Sequence, residues 1–256
     1  MTELAVKSGF VPDNRTLAWV ALVFNGFAFL TINYWVYTAR WTFLARNSDT
    51  YFERPTISRA ISDPYIGEPF AFWITLSGIS LVIGVFALVA IYWRLLTAAP
   101  NPGFHIRAVI WLILPGLLAL QVSSGVGMYW LSVYRFPDAN AAHMVGSYTF
   151  FLSQAAVVIM FTLFNFILLR DPQILARLES QGELARKWVR VRFVFGLFCM
   201  GYVFIYFALF TAKETAAFGD NDTLYLAYVS AEPTLITAFL VLLALAHVDL
   251  FARRQV

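Results

Sequence analysis

The chain has 256 residues, of which 60% are hydrophobic, 18% aromatic and only 13% charged, and its formal net charge is +3. Soluble domains carry about 25% charged residues, so the composition excludes an ordinary soluble protein and indicates a single integral membrane domain, residues 1–256. The one cysteine, Cys199, lies in an apolar segment, which excludes an internal disulfide and a thiolate metal site.

The apolar residues are concentrated in six long segments. Since about 20 apolar residues cross a bilayer as an α-helix, each segment predicts one transmembrane helix. We therefore predict an all-α fold, a polytopic bundle of six transmembrane helices. The predicted spans are Leu17–Tyr37, Phe70–Trp93, Ala108–Tyr134, Met144–Leu169, Val191–Ala212 and Leu226–Phe251.

The basic residues predict the orientation of the bundle. Twelve Lys and Arg residues fall on the side of the two termini, and six fall on the other side. Because cytoplasmic loops carry the excess of Lys and Arg, both termini are predicted to be cytoplasmic. The expected location is a bacterial inner membrane or a eukaryotic endomembrane, with the protein passing through it several times.

The longest loop on the outer side is predicted between the first two spans, over Thr38–Pro69. At about 30 residues it is longer than a simple connection needs, so we expect it to cap the bundle. It contains two acidic residues, Asp63 and Glu68, close to the point where the chain enters the second span.

The middle spans carry signals for bending and for close packing. Pro115 lacks a backbone N–H and is expected to bend the third span. Further along this span, small residues such as Gly125 and Gly127 permit close approach of a neighbouring helix. Gly146, Thr149 and Ser153 share one face of the fourth span, and we expect this face to contact another helix.

The most charged stretch lies between the fourth and fifth spans. It predicts a short surface helix over Leu175–Trp188, lying against the lipid headgroups. The charges of this stretch are interpreted as a topology signal on a solvated helix face. The alternative is that they bind a specific lipid headgroup.

The candidate site is a set of ionisable side chains at the outer ends of the spans. In a helical bundle these ends surround a common vestibule, and ionisable groups at membrane depth are costly enough to indicate function. Such a set suits a headgroup site, an acid/base pair or a metal site. The residues are Asp63, Glu68, Asp138, His143, Glu214 and Glu232.

Other interpretations of these residues remain open. The acidic groups also suit helix capping, or pairing with Arg40, Arg135 or Lys213. No cofactor is predicted, with zinc on His143 and haem between His105 and His247 as alternatives. The chain shows no nucleophile motif, no phosphate-binding glycine loop and no nucleic-acid patch, so whether it is an enzyme stays open.

Four stretches carry a resemblance to a known family: residues 55–73, residues 136–151, the region around Glu214, and residues 231–251. Each places an acidic residue near the outer end of a span, and residues 136–151 add His143. In this respect the chain resembles the six-span family of damage-regulated autophagy modulators, FGF-receptor-activating proteins and post-GPI-attachment lipid-remodelling proteins. The resemblance implies association with membrane lipids, through the same six residues. The outer loops here lack the cysteines of several eukaryotic relatives.

Three functions are consistent with these observations. The first is binding or remodelling of membrane lipids through the outer vestibule. The second is a non-catalytic subunit of a larger membrane complex, energy-converting or pigment-binding, because the spans are rich in Phe and Trp. The third, a small-solute transporter, has less support because charge in the middle of the spans is nearly absent. The expected partners are membrane lipids or other membrane subunits, and not nucleic acid.

Overall fold

The structure, a computed structural model, describes residues 12–48, 54–100, 102–215 and 222–252, which are almost entirely helical. This part of the chain contains no β-strand. A π-helical turn, Val109–Ile113, connects α4 to α5. The α-helices are α1 (Asn14–Arg46), α2 (Ile57–Ala60), α3 (Pro64–Thr97), α4 (Phe104–Ala108), α5 (Leu114–Val133), α6 (Asn140–Arg170), α7 (Pro172–Ser180), α8 (Arg186–Glu214) and α9 (Asp222–Ala252).

Six helical units in the described ranges are long and apolar enough to cross a membrane. They are α1, α3, the continuous unit Phe104–Val133, α6, α8 and α9. The predicted all-α fold with six spanning helices is therefore confirmed. The helices are longer than predicted because hydropathy detects only their apolar part, whereas the hydrogen-bonded helix continues into polar residues.

The six spanning helices form a closed ring in which neighbours in sequence are also neighbours in space. α1 packs on α3, α3 on α5, α5 on α6, α6 on α8 and α8 on α9, and α9 returns to pack on α1. One end of the ring carries α2, and we call it the α2 end. The opposite end carries α7, and we call it the α7 end.

The connection between α1 and α3 is shorter than the predicted loop Thr38–Pro69. α1 continues to Arg46 and α3 begins at Pro64, so Pro69 lies inside a helix. Within the connection, Thr56 caps α2 by accepting a hydrogen bond from the backbone N–H of Arg59, at 3.1 Å. Ile57 and Ile61 are buried, so residues 54–61 pack onto the α2 end of the ring. Residues 49–53 lie outside the described part.

A surface helix is present in the region predicted over Leu175–Trp188, but its bounds differ from the prediction. α7 ends at Ser180, and Gly182 follows with a positive φ of 72°, the left-handed conformation that commonly ends a helix. The residues from Arg186 onward already belong to α8. Leu175 and Leu178 of α7 are buried, whereas Gln173 and Ala176 are exposed, so α7 lies on the surface with one face packed against the core.

A buried ion pair connects helices at the α7 end. Arg192, one of the twelve basic residues on the side of the termini, is completely buried and is paired with Asp249 of α9. The Arg192 Nε also donates to the Asn165 Oδ1 on α6, at 3.0 Å. The Asp249 Oδ1 accepts from the backbone N–H of Ala185, at 3.1 Å. Two charges without water are stable only when they are paired in this way, so the cluster joins α6, α8 and α9.

α5 and α6 are in backbone contact at two glycines. A Cβ atom on Gly127 would lie 2.5 Å from the backbone N of Phe150, and one on Gly146 would lie 2.5 Å from the backbone N of Leu131. Nearby, the Ser153 hydroxyl donates to the Ser123 hydroxyl at 2.9 Å. The expectation that Gly127, Gly146 and Ser153 mediate helix packing is therefore confirmed. This contact also fixes the first turns of α6 against the last turns of α5.

Candidate functional site

A cavity of about 370 Å³ opens among the helices at the α2 end, and we call it the α2 cavity. It lies between α2, the beginning of α6, the end of α8 and the beginning of α9. One part of its wall is aromatic and includes Tyr148, Phe151, Tyr206, Phe207, Phe210 and Tyr228. The polar side chains of the lining, which we call the polar wall, include Ser58, Arg59, His143, Ser147, Lys213 and Glu232.

His143 contacts two different elements through its two ring nitrogens. Its Nδ1 lies 2.9 Å from the backbone carbonyl oxygen of Tyr134, which follows α5. Its Nε2 lies 2.8 Å from the hydroxyl oxygen of Ser58 on α2. Because a carbonyl oxygen only accepts hydrogen bonds, Nδ1 carries the proton, and in the neutral imidazole Nε2 is the acceptor. The Ser58 hydroxyl therefore donates to His143.

Glu232 connects the beginning of α9 to the segment before α2. Its side chain is buried, at 6% exposure, and its Oε2 accepts a hydrogen bond from the backbone N–H of Ile57 at 3.1 Å. A second bond holds the same segment from α1, because the Arg40 Nε donates to the Pro55 carbonyl at 2.9 Å. The segment before α2 is thus hydrogen-bonded to α9 and to α1.

Replacing Glu232 by alanine is expected to destabilise this segment. The buried amide of Ile57 would lose its acceptor, which costs about 1–3 kcal/mol. Hydrogen exchange at the Ile57 amide should become faster and the melting temperature in detergent should fall. The Glu232→Gln variant keeps an acceptor oxygen, so it should change the exchange rate and the melting temperature less. Glu68→Ala, at an exposed position, is the control. Unchanged exchange at Ile57 in Glu232→Ala would contradict the assigned bond.

Of the six predicted site residues, the structure places His143 and Glu232 together in the lining of the α2 cavity. Asp63 does not line the α2 cavity; it caps α3 by accepting from the backbone N–H of Tyr65 at 2.9 Å and pairs with Arg46 at 3.0 Å. Glu68 and Asp138 are exposed and do not line the cavity either. The side chain of Glu214 lies outside the described part of the structure.

The residues of this cavity that the sequence did not identify as site candidates include Ser58, Arg59, Lys213 and Tyr206. Ser58 and Arg59 lie within the stretch 55–73 that carries the family resemblance, but a single serine there matches no nucleophile motif. Lys213 was predicted only as a possible pairing partner of the acidic groups. Only the packing of α2 over the ring shows that these side chains share one cavity.

The alternative cofactor ligands lie far apart in the chain and differ in environment. His105 is exposed on α4. His247 is buried, and its Nε2 lies 3.2 Å from the Asn25 amide nitrogen, the kind of bond to a neighbouring helix that membrane bundles use. Within the described ranges, no three His, Cys, Asp or Glu side chains form a metal-binding group. The zinc and haem alternatives stay predictions.

The six long apolar helices are those of a multi-pass membrane protein. Comparison with protein-family models, with characterised proteins and with solved structures gave no match to this chain. The functional argument therefore rests on the geometry of the α2 cavity.

Proposed function

We propose that this protein binds the headgroup of a membrane phospholipid in the α2 cavity and takes part in remodelling that lipid. The observation that carries the proposal is the combination of basic side chains, a carboxyl side chain and several aromatic side chains in one cavity. If the termini are cytoplasmic, as the distribution of Lys and Arg predicts, this cavity faces the outer leaflet.

The polar wall matches the chemistry of a phospholipid headgroup. Arg59 and Lys213 suit a phosphate group, because charge-assisted hydrogen bonds to phosphate are short and strong. Glu232 suits a cationic amine on the same headgroup. The volume of about 370 Å³ is that of a site for a small group, so the acyl chains would extend beyond it along the apolar surface.

The aromatic wall suits the boundary between headgroup and acyl chains. Tyr and Trp side chains favour this depth of a membrane because their bodies are apolar and their tips polar. Tyr228 also lies beneath the ammonium group of Lys213, with the Nζ 5.2 Å from the ring centroid. The resemblance of residues 55–73 and 136–151 to a lipid-remodelling family supports the same proposal.

The test is lipid binding to the purified chain. Native mass spectrometry of the protein in mild detergent should show a bound phospholipid, and the Arg59→Gln/Lys213→Gln variant should lose at least about tenfold in affinity, since each charged hydrogen bond contributes about 1.5–3 kcal/mol. Arg46→Gln is the matched control, because Arg46 lies at the same end of the bundle and outside the cavity.

Two outcomes would contradict the proposal. Equal lipid occupancy in the double variant and in the Arg46 control would show that the α2 cavity is not the headgroup site. Co-migration of the chain with a stoichiometric set of other membrane proteins, without bound lipid, would instead favour the subunit function.

A further inference from the structure

We propose that Ser58 and His143 form a nucleophile–base pair that cleaves an acyl ester bond of the lipid held in the α2 cavity. This inference rests on the proposed function and adds a reaction to it. Its starting observation is the hydrogen bond of 2.8 Å between the Ser58 hydroxyl and the Nε2 of His143. A serine hydroxyl is a weak nucleophile, and a base within this distance is what activates it.

The imidazole is held in the tautomer that this chemistry requires. The Tyr134 carbonyl accepts from Nδ1 at 2.9 Å, so the proton-free nitrogen points at Ser58. In serine hydrolases a carboxylate occupies the place of this carbonyl and orients the histidine in the same way. His143 is only 2% exposed, so the surrounding helices also fix its position.

The serine and the histidine come from separate elements that are each held in place. Ser58 lies on α2, and the preceding residue, Ile57, is attached to α9 through Glu232. His143 lies in the first turn of α6, which contacts α5 through Gly127 and Gly146. Both side chains line the α2 cavity, so a bound ester reaches them from the same side.

Two cationic side chains line the same cavity as Ser58 and His143. Attack on an ester gives a tetrahedral intermediate with an oxyanion, and groups placed to stabilise it contribute strongly to the rate. Arg59 follows Ser58 directly in the chain and, like Lys213, lines the same cavity. The structure thus supplies a nucleophile, an oriented base and cationic groups in one site.

The reaction is balanced with water as the second substrate. Ser58 Oγ bonds to the ester carbonyl carbon while its proton passes to His143 Nε2. The ester C–O bond then breaks, and the leaving lysolipid oxygen takes that proton, which leaves an acyl group on Ser58. Water adds to the acyl carbon and gives a proton to His143, which returns it to Ser58 as the fatty acid leaves. An alcohol in place of water transfers the acyl chain instead.

The experiment uses the full chain in detergent with an alkyl fluorophosphonate, which reacts covalently with activated serines. Peptide mass spectrometry should locate the phosphonate on Ser58 in the wild-type chain. The His143→Gln variant should react at least about a hundredfold more slowly, because general base catalysis contributes about 10²–10⁴. Thr149→Ala is the control: Thr149 lies on the same helix as His143 but does not line the cavity, and its hydroxyl donates within α6 to the Val145 carbonyl at 2.7 Å, so its removal should leave the labelling of Ser58 unchanged.

A second readout separates this inference from the proposed function. Vesicles of phosphatidylethanolamine should release fatty acid with the wild-type chain, whereas Ser58→Ala should bind the lipid as the wild type does and release none. Lipid binding with neither fatty-acid release nor phosphonate on Ser58 would overturn the nucleophile and leave headgroup binding intact. Labelling of Ser58 without lipid binding would support the nucleophile and overturn headgroup binding. Even where a variant fails to fold, the peptide map of the wild-type chain shows whether Ser58 carries the phosphonate and is therefore an activated nucleophile.

Discussion

Replacing Arg192 by alanine should lower the free energy of unfolding by about 3–5 kcal/mol, the usual cost of removing one partner of a buried ion pair. The change would leave the carboxylate of Asp249 buried on α9 without its cation. It would also remove the donor to Asn165 on α6. Unfolding by SDS in mixed micelles, followed by circular dichroism, would measure the loss.

Two further variants make this expectation specific. Arg190→Ala removes an exposed arginine from the same helix and should change stability by less than about 0.5 kcal/mol. The double variant Arg192→Met/Asp249→Leu removes both charges and should recover much of the lost stability, because buried pairs replaced by apolar residues are often neutral. Equal stability of Arg192→Ala and Arg190→Ala would show that the buried pair does not support the fold.

Adding a methyl group at Gly127 or Gly146 should separate α5 from α6. In each case the new Cβ would lie 2.5 Å from a backbone nitrogen of the facing helix, so a side-chain rotation does not relieve the contact. Overpacking of this kind costs about 1–3 kcal/mol. Because His143 lies one turn before Gly146, the shift should also weaken its contacts with Tyr134 and Ser58.

The measurement is the melting temperature of each variant in one detergent, together with the rate of phosphonate labelling at Ser58. Gly201→Ala is the matched control, since a Cβ there would meet no atom within 4 Å. This control should be neutral or slightly stabilising, because alanine favours helix over glycine by up to about 1 kcal/mol. If Gly127→Ala and Gly201→Ala melt at the same temperature, the backbone contact between α5 and α6 is not as close as described.

The part of the fold that follows from local hydropathy could be predicted from the sequence. Each spanning helix is visible as an apolar segment because its outward face meets lipid and its inward face meets the packed interior of the bundle, and both surroundings favour apolar side chains. The role of Asp63 was also readable, since an aspartate before a proline, here Pro64, is a common helix start. The charge of Asp63 suggested a ligand of the candidate site, whereas its position before the proline indicated a helix cap.

The contacts that define the site could not be predicted, because they join residues far apart in sequence. Ser58 and His143 are 85 positions apart, and Arg192 and Asp249 are 57 apart. Nothing in the local pattern distinguishes Arg192 from Arg190 two residues earlier, although one is buried and the other exposed. Which side chains converge is decided by the order of helices around the ring and by the packing of α2 onto it.

The π-helical turn before Pro115 has a consequence for the history of the chain. Leu114 donates to the carbonyl of Val109, five positions earlier, so this turn holds one residue more than an α-helical turn. Two exposed side chains, Trp111 and Leu112, occupy the widened turn. Loss of one of them would restore an α-helical turn and place the Pro115 ring against a carbonyl four residues earlier. In homologous chains, the extra residue of the π-helical turn and the proline at position 115 should therefore be present together or absent together.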